Sequence, residues 1–265
     1  MWIDTHCHLY DSSLVERQQE VQQRALDAGI HEILLPNIDV HSVPKMKEAV
    51  DQFPELTVRQ MIGLHPCYVK EDYKSQLDTL KATYESEPDR FCAVGEIGLD
   101  LYWDKTTLDI QIDALNTQLD WSVEWNLPIA LHVRSSFKEL FPVLEAAQER
   151  HGGKLRGVFH CFSGGKKQIN RALRLGEFYF GLGGVITYNR SATDPVVRAI
   201  PQDRILLETD APYLTPTSFK GQKNEPAFMA EVAQTVAEIL DMDEAELAPK
   251  LAANTRNLFE SLRPW

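Results

Sequence analysis

Residues 2–8, Trp2-Ile3-Asp4-Thr5-His6-Cys7-His8, pass from apolar to ionisable within a few positions. Aromatic and β-branched residues at the start fit a strand over 2–6, which carries two imidazoles to its C-terminal end. Residues two apart on extended backbone point the same way. His6 and His8 can therefore reach one cation, while Cys7 faces the other side as a small buried apolar residue. Outward from this stretch the pattern returns seven times. Short apolar runs at 32–36, 58–64, 92–97, 128–132, 157–160, 178–181 and 205–209 read as buried parallel strands, with longer amphipathic stretches between them.

Those stretches read as helices. Ser13 to Glu16 has the form of a capping box opening the first, and Gly29 stands where its stop belongs. Leu108, Ile112, Leu115, Leu119 and Val123 recur at spacings of three and four, as do Phe228, Val232, Val236 and Leu240. Residues 243–262 read as one or two further helices. Eight strands alternating with helices over 265 residues predict an α/β fold, a (β/α)8 TIM-type barrel forming a single domain over 1–265. A doubly wound open sheet is the competing arrangement. Its dinucleotide-binding version is weakened because no GxGxxG follows the first strand.

Composition narrows the class. The chain is 43% hydrophobic and 25% charged, ordinary for a globular protein, so extended disorder is excluded. No apolar run approaches the ~18 residues of a membrane span, and the N-terminus lacks a secretory pattern. Four cysteines without a CxxC pair give no disulfide framework, and a cytoplasmic location is expected. The formal net charge of -12 argues against coating long nucleic acid with a basic stripe. It leaves room for an enzyme that grips one or two phosphates through metal ions.

The ionisable residues fall at strand C-termini, which converge on one face of a barrel. His6 and His8, Glu96, His132, His160 and Asp210 all lie there. Buried imidazoles and carboxylates need partners, and a shared cation would satisfy them together. A hydrogen-bonded polar cluster without metal is the alternative. Six nitrogen and oxygen donors exceed what one tetrahedral ion takes and suit two divalent ions with a bridging carboxylate. Zn, Mn, Ni or Mg all fit such donors. Asp4 and Glu208 could orient imidazoles or simply fill a polar layer. Cys161 could approach from its loop. His65 could touch substrate or close the turn at Pro66. Arg134, two past His132, has a fork suited to phosphate or carboxylate, or to a rim acid. Asn224 could line the mouth, although Pro226 near a helix start explains its neighbourhood equally well. His31, His41 and His151 fall in helix ends or loops and carry no expected role.

In order along the chain stand IDTHCHL (3–9), GLHP (63–66), GEIGLD (95–100), LHVR (131–134), HCFSG (160–164), LLETDAPYL (206–214) and NEPAF (224–228). This set resembles the TatD family of metal-dependent deoxyribonucleases, a branch of the amidohydrolase superfamily. One position departs from the family pattern. Tyr10 stands where an acidic residue or Asn is common, with Asp11 next. The resemblance implies a barrel with a two-metal centre: one ion on His6, His8, Glu96 and Asp210, the other on Glu96, His132 and His160, with Glu96 bridging. It also implies cleavage of phosphodiesters in DNA.

The expected chemistry is a metal-dependent hydrolase acting on ester bonds at DNA ends, single-stranded or frayed. Asp210 and Glu96 are the catalytic carboxylates, with Asp210 accepting the water proton. Arg134, His65 and Asn224 are expected substrate contacts, and Tyr188 and Tyr213 candidate stacking surfaces. The alternatives are a hydrolase of a small amide, lactone or phosphoester, and a metal-binding protein without turnover. No membrane and no obligate protein partner are expected.

Overall fold

The structure, a computed structural model, describes residues 1–259. Eight strands alternate with helices in chain order. They are β1 (Trp2–Asp4), β2 (Ile30–Leu35), β3 (Thr57–Ile62), β4 (Phe91–Asp100), β5 (Ile129–Arg134), β6 (Gly157–Phe159), β7 (Phe178–Leu182) and β8 (Ile205–Leu207). Each pairs in parallel with the next, so the sheet order is the sequence order. Two hydrogen bonds join the ends of the sheet. The Thr5 N–H donates to the Leu207 carbonyl at 3.0 Å, and the Asp210 N–H to the His6 carbonyl at 2.8 Å. The fold is a TIM barrel, and the open-sheet alternative falls.

The interior explains why the runs are apolar. Ile3, Leu34, Met61, Ala93, Ala130, Val158, Tyr179 and Leu206, one from each strand, pack together inside the barrel. A second apolar layer lies between strands and helices, including Leu14, Val21, Leu115, Leu119, Leu144 and Val232. Facing positions of mixed size fill the barrel as side chains, so it is a core and not a pore.

The helices are α1 (Ser12–Val15), α2 (Gln18–Asp27), α3 (Ser42–Gln52), α4 (Tyr73–Ser86), α5 (Leu108–Glu124), α6 (Phe137–Arg150), α7 (Lys166–Leu175), α8 (Arg190–Val197), α9 (Met229–Leu240) and α10 (Glu244–Phe259). The expected first helix is two. Asp11, not Ser13, caps α1 through a 2.9 Å bond from the Ser13 N–H, and the backbone breaks at Arg17 before α2. Gly29 follows α2 with φ +79°, as the stop requires. Phe228 belongs to a short turn, 226–228, ahead of α9. The tail forms one helix. In α10, Ala252, Leu258 and Phe259 pack on the interior cluster, and the Asn254 amide donates to Gln202 and Ile205 carbonyls. Thus α10 closes the N-terminal end of the barrel and leaves the opposite end as the mouth. Positions 260–262 of that expected segment lie outside the described residues. Among the described residues no helix is long and apolar enough to cross a membrane.

Candidate metal centre

The centre is built around Glu96. At this point β4 carries an extra residue against β5: Gly95 pairs with Ala130 and Ile97 with Leu131, leaving Glu96 between them. Such a bulge re-aims a side chain. Asn37, just past β2, holds both flanks. Its N–H donates to the Gly95 carbonyl at 3.0 Å, and its carbonyl accepts from the Glu96 N–H at 2.9 Å.

The two carboxylate oxygens of Glu96 face different imidazoles. Oε2 lies 3.2 Å from His6 Nε2 and 3.8 Å from His8 Nε2. Asp210 closes that side, with Oδ1 at 3.4 Å from His8 Nε2 and 3.7 Å from His6 Nε2. Oε1 lies 2.8 Å from His132 Nδ1, 3.4 Å from His160 Nε2 and 3.4 Å from His65 Nε2. All six expected ligands therefore gather at the mouth, and His65 joins them. His6 and His160 rings stack at 3.6 Å. Among the described residues four groups of potential metal-ligating atoms, His6–His8–Asp210, His6–His160–Glu208, His65–Glu96–His132 and His160–Cys161–Asp210, each fall within 4.8 Å of one another.

Outer partners select which nitrogen faces inward. The Tyr10 hydroxyl donates to the Pro36 carbonyl at 2.9 Å, so it accepts from His8 Nδ1–H at 2.9 Å, leaving the His8 Nε2 lone pair toward Asp210. The position that departs from the family pattern thus orients a candidate ligand. Asp100 Oδ2 lies 2.9 Å from His132 Nε2, so Nδ1 turns toward Glu96. Glu208 Oε1 lies 3.0 Å from His160 Nδ1. A Cβ on Gly181 would meet Glu208 Oε2 at 2.1 Å, so glycine there leaves the carboxylate its room. The His65 Nδ1 accepts the Cys67 N–H at 3.0 Å, which puts the neutral ring's proton on Nε2. Tyr10 and Asp100 were missed as partners in the sequence. The only signal was an ionisable or hydroxylated residue near a strand end.

Titration follows burial and charge. Burial would raise the Glu96 carboxyl, but His65, His6, His160 and His132 hold it well below the usual range. Asp210 is likewise lowered against burial, by His160, His8 and His6. Burial and the charge of His160 lower His6. Burial also lowers His160, but Glu208, Glu96 and Asp210 outweigh it and push the ring up to about 10. Asp4 is pushed up to about 7 by burial, against bonds from Thr209 and the His6 N–H. Asp4 holds the Thr209 N–H and hydroxyl at 2.9 and 2.6 Å, so it shapes the β8 exit rather than an imidazole.

Five buried carboxylates (Asp4, Glu96, Asp100, Glu208, Asp210) surround this mouth, and among the described residues no Lys or Arg forms an ion pair with any of them. The His6 Nδ1 and Glu208 Oε2 atoms are buried without a hydrogen-bond partner. A carboxylate-rich, cation-poor cluster of imidazoles fits divalent metal. Backbone strain is concentrated here too: Ser135, Cys161, Asp210 and Leu214 adopt positive φ just past strands. Cys161 lies within ligand reach of His160 and Asp210, but burial and Glu208 hold its thiol protonated, well above the usual range. Cys7 is fully buried with Sγ toward the Ala211 carbonyl at 3.8 Å.

The remaining expectations divide. Arg134 is exposed at the mouth and makes no carboxylate ion pair among the described residues; its guanidinium lies 4.1 Å from the Tyr102 ring centroid. Tyr188 and Tyr213 are exposed near the mouth, and Tyr213 meets His8 edge-on at 5.5 Å. Asn224, an expected substrate contact, lies inside the protein rather than on the open rim. It is fully buried, its amide donates to the Thr209 and Tyr213 carbonyls at 2.8 and 2.6 Å, and its oxygen accepts the Glu225 N–H. Asn224 is a brace for the loop after β8.

Residues 3–260 match the family described as TatD related DNase. The chain belongs to that family. It is 32% identical over 264 residues to the uncharacterized metal-dependent hydrolase YabD of Bacillus subtilis, covering 98% of this chain and 99% of that protein. It is 30% identical over 263 residues to a protein of Erwinia tasmaniensis named 3'-5' ssDNA/RNA exonuclease TatD, covering 97% and 98%. The crystal structure of YjjV, a TatD homologue from Escherichia coli, superposes with a TM-score of 0.88 at 33% identity over 98% of each chain. The protein is thus a TatD-family metal-dependent hydrolase on a TIM barrel, and its imidazole–carboxylate cluster could hold the metal.

Proposed function

We propose that this hydrolase cleaves phosphodiester bonds at unpaired DNA ends with two divalent cations held on either side of Glu96. His6, His8 and Asp210 would hold one with Glu96 Oε2, and His132 and His160 the other with Oε1. Zn, Mn, Ni or Mg suit such donors. The observation that carries the reading is the division of Glu96. Its two oxygens face separate sets of imidazoles in a mouth whose five carboxylates form no ion pair with Lys or Arg among the described residues. When bound, such cations neutralise charge on a phosphodiester and favour ionisation of a water.

The chain's own groups do the rest. Asp210, held ionised by the histidines beside it, accepts the proton of the attacking water at its carboxylate. His8 is kept in register by Tyr10, and His132 by Asp100. Arg134, exposed at the rim and without an acid partner among the described residues, is placed to meet a phosphate. The name of the Erwinia relative supports a nucleic-acid strand as substrate.

The test is activity on 5'- and 3'-labelled single strands with each divalent metal, beside small amides, lactones and phosphoesters. Metal-dependent shortening from one end is expected. A higher kcat/KM on a small substrate, with strands left intact, would overturn the assignment.

A further inference from the structure

Eight large hydrophobic side chains stay exposed among the described residues, and six of them follow strand C-termini at the mouth: Tyr68, Tyr102, Trp103, Tyr188, Tyr213 and Leu214. Exposing such groups together costs a folded protein solubility unless they meet something. The most exposed are Trp103, at 70%, and Tyr102, at 58%, in the loop after β4. We propose that Tyr102, Trp103 and Arg134 form a stacking subsite for one unpaired base of a single-stranded nucleic acid beside the metal centre. This rests on the nuclease reading above and deepens it.

The loop holds its rings in place without burying them. Asp100 Oδ1 accepts the Tyr102 N–H at 2.9 Å and the Trp103 N–H at 3.3 Å. Gln111 of α5 brackets the Asp100 backbone, accepting its N–H at 2.9 Å and donating to its carbonyl at 3.1 Å. Asp104 Oδ1 accepts the Thr106 N–H at 2.8 Å and so closes the turn. The other oxygen of Asp100 contacts His132. One carboxylate therefore fixes both a candidate metal ligand and the backbone that presents the two rings. A base resting on them is thereby registered against the cluster.

Arg134 completes the arrangement. Its guanidinium lies 4.1 Å from the Tyr102 centroid and 5.4 Å from that of Trp103, and the two rings meet at 5.0 Å, nearly perpendicular. Among the described residues no acid forms an ion pair with Arg134, so the cation keeps donors for a phosphate, and Trp103, 70% exposed, offers ring surface to a base. The occupant follows from charge. A net charge of -12 argues against a broad basic footprint, so stacking on rings would add grip beside the phosphates held at the metal centre. Every base offers a π-face, so the subsite distinguishes paired from unpaired strands rather than sequences.

The test pairs variants with substrates. Trp103→Ala, Tyr102→Ala and Trp103→Phe are measured on a single-stranded oligonucleotide and on a series with one abasic residue moved inward from the cleaved end. Base stacking of this kind predicts a KM rise of roughly ten- to a hundredfold for wild type when one particular position is abasic. Trp103→Ala should show that rise on the intact strand and little more on that abasic strand, and Trp103→Phe should recover most of it. Equal losses on intact and abasic strands, or none, would overturn the subsite. If wild type cuts no strand, the nuclease reading fails separately. The subsite is then read by fluorescence anisotropy of phosphorothioate strands on metal-loaded protein, where a Kd indifferent to abasic position contradicts it.

Discussion

On one side of Glu96 stand His6, His8 and Asp210, on the seam between β1 and β8; on the other stand His132, His160 and His65, with His132 and His65 beside the β4 loop. On the first side the outer support of His8 is uncharged. His8 leans on a tyrosine hydroxyl that itself leans on a carbonyl, and His6 Nδ1 has no hydrogen-bond partner among the described residues. The second is backed by a carboxylate, Asp100, and opens on exposed aromatic rings and Arg134. Charge behind a ligand raises its basicity and tightens a cation; an uncharged brace mainly fixes its direction. On the function proposed above, the seam side would position water and the proton acceptor, and the open side would meet the substrate strand.

Glu96→Ala should break both sides at once. Charge neutralisation by such ions contributes several kcal/mol, so kcat should fall by more than about 10³-fold. A steady-state assay at saturating metal checks it, and a smaller loss would mean the two sides do not share this carboxylate. Asp210→Asn should damage only the seam side. Asn still offers an oxygen but cannot take the water proton, so metal content should stay near normal while kcat drops by at least about 10²-fold. A variant with verified occupancy and nearly full kcat would leave Asp210 without the proton-transfer role.

The outer braces sharpen the contrast. Asp100→Asn removes the charge behind His132, and Tyr10→Phe removes the hydroxyl behind His8. Outer partners are typically worth about 10–100-fold in metal affinity, and the charged one should lie at the upper end. Competition with a chelator on each variant gives the order. A larger loss for Tyr10→Phe would reverse the assignment of the two sides.

The barrel was legible because each strand is a short apolar run, and a barrel interior demands that of every strand. The gathering of six polar residues was legible for a related reason, since parallel strand ends meet on one face. What escaped depended on direction. Tyr10 and Asp100 act through the particular ring nitrogen they engage, which no spacing encodes. The bulge that aims Glu96 adds a residue to β4 and carries the strand to Asp100, past its expected end at Ile97. The burial of Asn224 escaped as well, because the turn before α9 tucks it beneath the β8 loop. Nothing in the sequence marks Trp103 and Tyr102, because exposure of a loop ring is not encoded by spacing.

The central claim, that Glu96 stands between two cation sites, is tested most directly by metal content. Wild type, His132→Ala and Glu96→Ala are loaded with excess divalent metal, freed of unbound ions and assayed by elemental analysis. The account predicts two ions per chain in wild type, one in His132→Ala, and fewer than one in Glu96→Ala. A single ion per chain in saturated wild type, unchanged by His132→Ala, would contradict it.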